Sequence, residues 1–513
     1  MSDLPRCAKK QLVIEPVGFL VWCRWIWSEF NPRVWLSDTA RGGAAVRENS
    51  MSLATHFCRR LSVLAAAAVV SGLAWTSSVS AQTLETALGQ AYVNNPSLNS
   101  QRAGTRATDE SVPQALSGYR PNVSAGASVG GQYARTNSSG TIATNSLVPR
   151  SVNLTVSQTI FNGFLTASTT QKAESSVKGS RETLRNTEQT ILLNAVTAYM
   201  NVLQGIALLE LQNQNLAALQ QELRATRDRF NVGEVTRTDV AQAEAQVATA
   251  NYQVAQAVAN LQAYKATYRQ VIGVEPGKLT APKSIEFMLP PTVDKAVAAG
   301  LSTHPAIQAS KFAVDAAMFQ VKMSEAGLAP VVSVQGQLAQ GYDQNSAVDS
   351  TSSASVALNL TVPIYQGGAE YSAIRQSKEL LTQARIEVDV NRDTVRANTV
   401  QYWGALEAAK AQIQSAQASV AANTLALEGV REEWRVGQRT TTDVLNAQTD
   451  LTTSKSNLVT AQRDRVVAAY SLLSSVGKLD AVTLGLKVPV YDARVHYDQV
   501  RDAWAGIRTP DGK

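Results

Sequence analysis

Cysteine is nearly missing from this chain. Its three copies in 513 residues (Cys7, Cys23 and Cys58) all fall within residues 1–81. The rest has none, which excludes a disulfide scaffold, a thiolate-held metal and a thiol nucleophile. Histidine is almost as scarce, since beyond residue 81 only His304 and His496 remain. No phosphate-binding loop, metal-ligand cluster or nucleophile elbow appears, so no enzymatic activity and no cofactor are expected. A basic excess is lacking too. Residues 1–81 hold 9 of the 47 basic and 5 of the 41 acidic side chains, leaving 38 and 36, a balance that does not suggest a nucleic-acid partner.

Long apolar runs are also absent after residue 81, where no stretch offers enough consecutive apolar residues for a spanning helix. Before it, residues 51–81 have the form of a secretory signal peptide. Arg59 and Arg60 form the positive region, LSVLAAAAVVSGLAW the apolar region, and Val79 and Ala81 the small residues of a cleavage site before Gln82. Residues 1–50 read as an extension from a misplaced start, or as an unusual leader. The exported chain is then a soluble periplasmic protein or an outer-membrane β-barrel, and not a helical inner-membrane protein.

The exported part is written twice. FNVGEVTRTDV (230–240) returns as WRVGQRTTTDV (434–444), and NLTVSQTIFNG (153–163) as LNLTVPIYQGG (358–368). ALGQAYVNNP (87–96) pairs with AVAAGLSTHP (296–305). Repeat 1 therefore covers 82–275 and repeat 2 covers 293–477, with a Pro-rich linker over 276–292 and a segment 478–513 after them.

Each repeat predicts two strands, at about 121–135 and 148–162 and again at about 330–342 and 353–365. Val152, Leu154, Val156 and Ile160 alternate with polar residues, as do Val356, Leu358, Leu360, Val362 and Ile364. The segments between, 136–147 and 343–352, read as polar loops. On the strands alone a membrane barrel and a soluble antiparallel sandwich both stand.

Long helices are expected at about 164–230 and 369–434, neither containing proline. At 1.5 Å per residue each spans about 100 Å, too long for a globular domain without a lateral partner. Shorter helices at about 238–273 and 442–476 follow a tight turn and supply that partner. Val240, Val247, Val254, Leu261 and Tyr268 recur every seven residues, beside Ala243, Ala250 and Ala257, which is a coiled-coil seam. Four strands cannot close a barrel, and an open edge cannot face lipid because its N–H and C=O groups would be unpaired. The chain must therefore oligomerise.

The double repeat, the junctions IFNG and IYQGG, and the turns RFNVGEVTRTDV and WRVGQRTTTDVLNAQTDL resemble the TolC family of outer-membrane exit ducts, including the outer-membrane component of type I secretion. The resemblance implies a mainly α fold with membrane β structure. A long α-helical coiled-coil barrel, the periplasmic tunnel, is fused to a trimeric 12-stranded β-barrel with four strands per protomer. It implies a homotrimer in the outer membrane and its lipid, extending into the periplasm. A periplasmic adaptor (membrane fusion) protein and an inner-membrane ABC or RND transporter are the implied partners, with secreted proteins or small toxic molecules as cargo. Segment 478–513 becomes an equatorial segment with a mobile polar end. The alternative is a soluble periplasmic coiled-coil adaptor.

The resemblance also assigns roles. Val232-Gly233 and Val436-Gly437 become adaptor-docking turns. Asp443 becomes an acidic pore constriction, with Asn446 where the family carries a second acidic residue. Arg439, Trp434 and Asp239 become a tip latch, with an Arg439–Asp239 ion pair whose loss in Arg439→Ser should raise channel conductance. Trp434 replaces a family tyrosine, which predicts packing without the hydroxyl hydrogen bond. Phe161, Gly163, Pro363, Tyr365, Gly367 and Gly368 mark where strand turns into helix.

Overall fold

The computed structural model describes residues 82–510 and 512. The signal-peptide and upstream-extension readings, with Ala81, lie outside the described residues; Gln82 lies inside, in a bridge to Leu279.

Repeat 1 opens with helices α1 (Leu84–Asn94), α2 (Pro96–Asp109) and α3 (Ser111–Leu116). Four strands follow, β1 (Asn122–Val129), β2 (Gln132–Ser138), β3 (Thr141–Leu147) and β4 (Arg150–Asn162), then α4 (Leu165–Asn231) and α5 (Arg237–Ile272). Repeat 2 has α6 (Val293–Thr303), α7 (Pro305–Ala326), β5 (Val331–Asn345), β6 (Val348–Thr361), α8 (Ala369–Arg435) and α9 (Thr441–Ser475), and α10 (Ala493–Val500) comes last.

Local chemistry sets the boundaries. Asn95 caps α2 by accepting from the amides of Ser97 and Leu98, and Pro96 takes the first helical position, where its missing N–H costs nothing. In the second repeat His304 and Pro305 do the same for α7, with His304 Nδ1 accepting from Ala306 N at 3.2 Å. Burial lowers the His304 pKa, keeping that nitrogen an acceptor. At the far end, Thr236 with Asp239 and Thr440 with Asp443 form reciprocal capping boxes that start α5 and α9. Gly233 and Gly437, with φ of +82° and +79°, make the turns before them.

The long helices α4 and α8 each have 67 residues. Helix α4 packs against α2 and α5 on one flank and against α7 and α9 on the other, and α8 covers the far side of α7 and α9. The half-length helices thus form two columns, α7 with α9 between the two full-length helices and α2 with α5 along the outer flank of α4, giving a wall four helices wide. Among the described helices α4 alone is long and apolar enough to cross a membrane. Its apolar middle (Leu192, Ala195, Val196, Tyr199 and Val202) is instead buried at mid-wall, against α1, the ends of α5 and α9, and residues 479–491. The segment after residue 477, silent in the sequence, completes this core with Leu479, Ala481 and Leu486. Tyr199 Oη donates to the carbonyl of Thr280 or Gln82 and accepts from Thr280 N, tying the linker to the core.

Strands β1, β4, β5 and β6 pair antiparallel in that order, so β1 and β6 are open edges. The expected loop at 136–147 is a correction. After a break at Gly130-Gly131 the chain forms the separate hairpin β2–β3, because Thr136, Ile142 and Thr144 suit a strand despite their polar neighbours. The expected loop at 343–352 is mostly strand as well, with β5 reaching Asn345 and β6 starting at Val348. Strand β6 stops at Thr361, two residues before Pro363, which cannot donate to a ladder.

Candidate functional site

Register sorts the sheet into two faces. Val123, Val156, Gly336 and Val356 align across the four strands, as do Ala125, Leu154, Leu338 and Ala354, and Phe161, Val332 and Leu360 continue the face past a bulge. Ser124, Thr155, Gln337 and Ser355, and then Gly126, Asn153, Ala339 and Ser353, line the opposite face. The apolar face is exposed, with Val356 at 81% and Leu358 at 70%. From Val332 to Tyr342 it runs ten residues along β5, about 34 Å at 3.4 Å per residue. Tilted by about 40°, that height is about 26 Å, the apolar band of a membrane barrel. Aromatics bound it, with Tyr342 at one end and Phe161 at the other.

At the base, β4 turns into α4 through Gly163 and Phe164, both at φ +64°, and β6 into α8 through Gly367 and Gly368, at +70° and +87°. A Cβ on Gly163 would overlap Ala329, so the strand can leave the sheet only past a residue without a side chain. Phe164 was not singled out by the sequence, and it holds a left-handed conformation that glycine holds in the second repeat. Its ring meets Phe161 edge-on at 5.5 Å. Ile364 and Tyr365, 91% and 76% exposed, occupy the equivalent level after β6.

At the far end, Val232 and Val436 project from the turns at 72% and 71% exposure. The capping boxes engage both acidic candidates. Asp239 Oδ2 accepts from Thr236 N at 2.8 Å and from Thr236 Oγ1 at 2.7 Å. Asp443 Oδ2 accepts from Thr440 N at 3.0 Å and from Thr440 Oγ1 at 2.8 Å. These bonds hold both carboxyls below the usual carboxylate range and therefore ionised. Asn446 is exposed one turn on.

The Arg439–Asp239 ion pair is not formed. Arg439 Nε donates to Glu433 at 2.7 Å, inside its own turn, while Asp239 is held by its own cap. The hairpins are joined through Trp434, which the sequence named, and by partners it did not reveal. The Arg229 guanidinium lies 4.4 Å over the Trp434 ring, and its Nη1 donates to Trp434 O at 3.4 Å. Thr442 donates to Gln242 at 2.6 Å, and Asn215 accepts from Gln448 and Thr452 at 3.1 and 3.0 Å. Trp434 is buried with Leu427, Val444 and Leu451. Its indole N–H donates to Thr441 Oγ1 at 3.4 Å, so a hydrogen bond persists where packing alone was expected. Burial raises the pKa of nearby Glu222 against the pull of Arg431, Arg229 and Arg435. The signal for Arg229 was weak, one of three arginines within residues 224–229 and with its aromatic partner 205 residues away.

The sequence model of the family described as outer membrane efflux protein matches residues 87–274 and 298–478. The outer membrane efflux protein BepC of Brucella suis biovar 1 (strain 1330) is 44% identical over 459 residues, covering 89% of this chain and 98% of that protein. Outer membrane protein TolC of Escherichia coli (strain K12) is 26% identical over 423 residues, 79% and 84% of the two chains. The CmeC outer membrane channel of Campylobacter jejuni superposes with a TM-score of 0.69 at 17% identity, over 82% of this chain and 89% of that one.

Proposed function

This chain belongs to the outer membrane efflux protein family, the TolC family, and from that premise we propose that three copies close one duct from the periplasm to the cell exterior. The protein is an outer-membrane channel reaching into the periplasm, and its relatives are channels rather than soluble adaptors. That sets the adaptor reading aside.

The observation that carries the trimer is the pair of open edges. A four-stranded sheet with a lipid-height apolar face cannot leave β1 and β6 unpaired in a bilayer. The helical wall likewise ends in an uncovered flank on each side. Three copies give twelve strands around a lumen lined by Ser124, Asn153, Thr155, Gln337 and Ser355. In this arrangement the hairpin tips face the periplasmic adaptor, and exposed Val232 and Val436 are its contact points. An inner-membrane ABC or RND transporter delivers proteins or small toxic molecules through that adaptor. The Asp443 carboxylates ring the tip and favour cations. The Arg229–Trp434 contact restrains the tip in place of the ion pair expected from Arg439.

Protein extracted from outer membranes should have three times the protomer mass by light scattering in detergent, and should form ion-conducting pores in planar bilayers. A lone subunit without conductance would overturn the reading.

A further inference from the structure

The segment after α10 has no part in the duct as described, yet it climbs to the membrane end of the molecule. Helix α10 lies on α2, with His496 Nδ1 3.1 Å from the buried Asp109 carboxylate and Tyr497 under Arg181 at 5.0 Å. Tyr497 also packs on Val112, Ala115, Ala173 and Val177, so the chain is fixed against the barrel-proximal third of α4. Seven residues later Trp504 stacks on Arg120 at 4.6 Å, and Arg120 Nη1 donates to Ala503 O at 2.7 Å. Arg120 stands two residues before β1. Its neighbour Tyr119 accepts, through its carbonyl, from Gln158 Nε2 of β4 at 3.0 Å. Trp504 is thereby placed at the base of the sheet, level with Phe161 and the lower boundary of the apolar band.

Nothing among the described residues covers this foot. Trp504 is 72% exposed and Ile507 102%, and Arg501 and Arg508 are exposed beside them. A large amphipathic ring, an aliphatic side chain and flanking guanidinium groups are what a membrane–water interface selects. The surface continues the lipid-facing band, and the guanidinium groups of Arg120, Arg501 and Arg508 outweigh the one exposed carboxylate within 501–510, Asp502, leaving net positive charge that complements phosphate.

We propose that residues 501–510 are an interfacial foot that binds anionic phospholipid headgroups of the periplasmic leaflet. Trp504 and Ile507 enter the headgroup region, while Arg120, Arg501 and Arg508 face phosphate. The inference rests on the outer-membrane reading and adds to it a lipid contact outside the barrel.

Bromine quenching in bilayers tests it. The exported protein, from Gln82 onward, whose tryptophans are Trp403, Trp434 and Trp504, would be reconstituted in phosphatidylethanolamine–phosphatidylglycerol bilayers carrying lipids brominated either high or low on the acyl chain, and compared with Trp504→Phe. Trp403 and Trp434 lie in the wall on α8, the nearer about 50 Å along the helix from its start, out of reach of lipid bromines. The wild type should lose tryptophan emission to the high bromines and less to the low ones, and Trp504→Phe should show neither loss. A Leu358→Trp reporter added to the Trp504→Phe protein monitors the barrel independently. If that reporter is quenched while wild-type Trp504 is not, the foot is refuted and the outer-membrane reading stands. If neither is quenched, both fall.

Discussion

Removing the Arg229 guanidinium should loosen the periplasmic tip. Arg229 of α4 bridges to the other hairpin through the Trp434 ring at 4.4 Å and, more weakly, through the Trp434 carbonyl at 3.4 Å. Its side chain is 23% exposed and Trp434 9%, so the contact belongs between the exposed and desolvated limits of a cation–π pair, about 1–2 kcal/mol. The same change takes one of three arginines from the neighbourhood of Glu222, leaving Arg431 and Arg435. At about 1.4 kcal/mol per factor of ten, Arg229→Ala should shift each protomer's closed-to-open ratio about tenfold towards open. If three protomers move together the shift is about a thousandfold. Single-channel recording in planar bilayers reads this as longer open dwells or higher mean conductance. Arg229→Lys should fall between, because an ammonium keeps the charge and loses the planar stack. Trp434→Leu should be non-additive with Arg229→Ala in a double-mutant cycle. Wild-type conductance and dwell times in an intact Arg229→Ala oligomer would refute the assignment, and additivity would show that the two residues act separately.

Two buried tyrosines should respond oppositely to loss of the hydroxyl. Tyr199→Phe takes the donor from the Thr280 carbonyl and leaves the Thr280 amide only its 3.3 Å bond to Gln82 O, and should cost about 1 kcal/mol, seen as a lower melting temperature. Tyr268→Phe should be neutral or stabilising, since its hydroxyl is buried without a partner. Asp443→Asn should reduce cation selectivity, measured as a smaller reversal potential under a KCl gradient, because the cap keeps the native carboxylate ionised. Glu188 is pushed above its ordinary 4.5, chiefly by burial and despite the hydrogen bond from Ala481 N. The folded state therefore holds this proton more tightly than the unfolded chain. The group's contribution to stability is full below 4.5 and is lost as pH rises through the higher folded value. Glu188→Gln should flatten the dependence of melting temperature on pH across that window, and an unaltered profile would count against it.

The features legible in the sequence were those written by short-range chemistry. Proline-free length and heptads gave α4 and α8 and their partners, and paired Thr/Asp and Gly residues gave the turns. Alternation in β4 and β6 gave the faces of the sheet. What escaped depends on distant partners. Hairpin β2–β3 looked like loop because Asn137, Ser138 and Ser139 dominate the text, while its cross-strand pairs are invisible there. Arg439 and Asp239 looked complementary, yet each finds a nearer partner within its own turn, Glu433 and Thr236. Residues 479–491 show no periodicity because only Leu479, Ala481 and Leu486 among them are buried, in a core that other segments build. Phe164 offers no warning of its left-handed backbone, and only superposing the two repeats shows it standing where the other has Gly368.

The pairing of β4 with β5 also dictates the order of events during biogenesis. Leu154 meets Leu338 across that ladder, a loop closure of nearly two hundred residues that costs chain entropy before any bond rewards it. Each α4–α5 and α8–α9 hairpin, by contrast, zips between near neighbours. As the polypeptide emerges from export, the first hairpin can therefore mature while β1 and β4 still wait for strands not yet delivered. An incomplete ribbon, greasy on one side and sticky along its rim, must be shielded until the remainder arrives and sister copies are at hand.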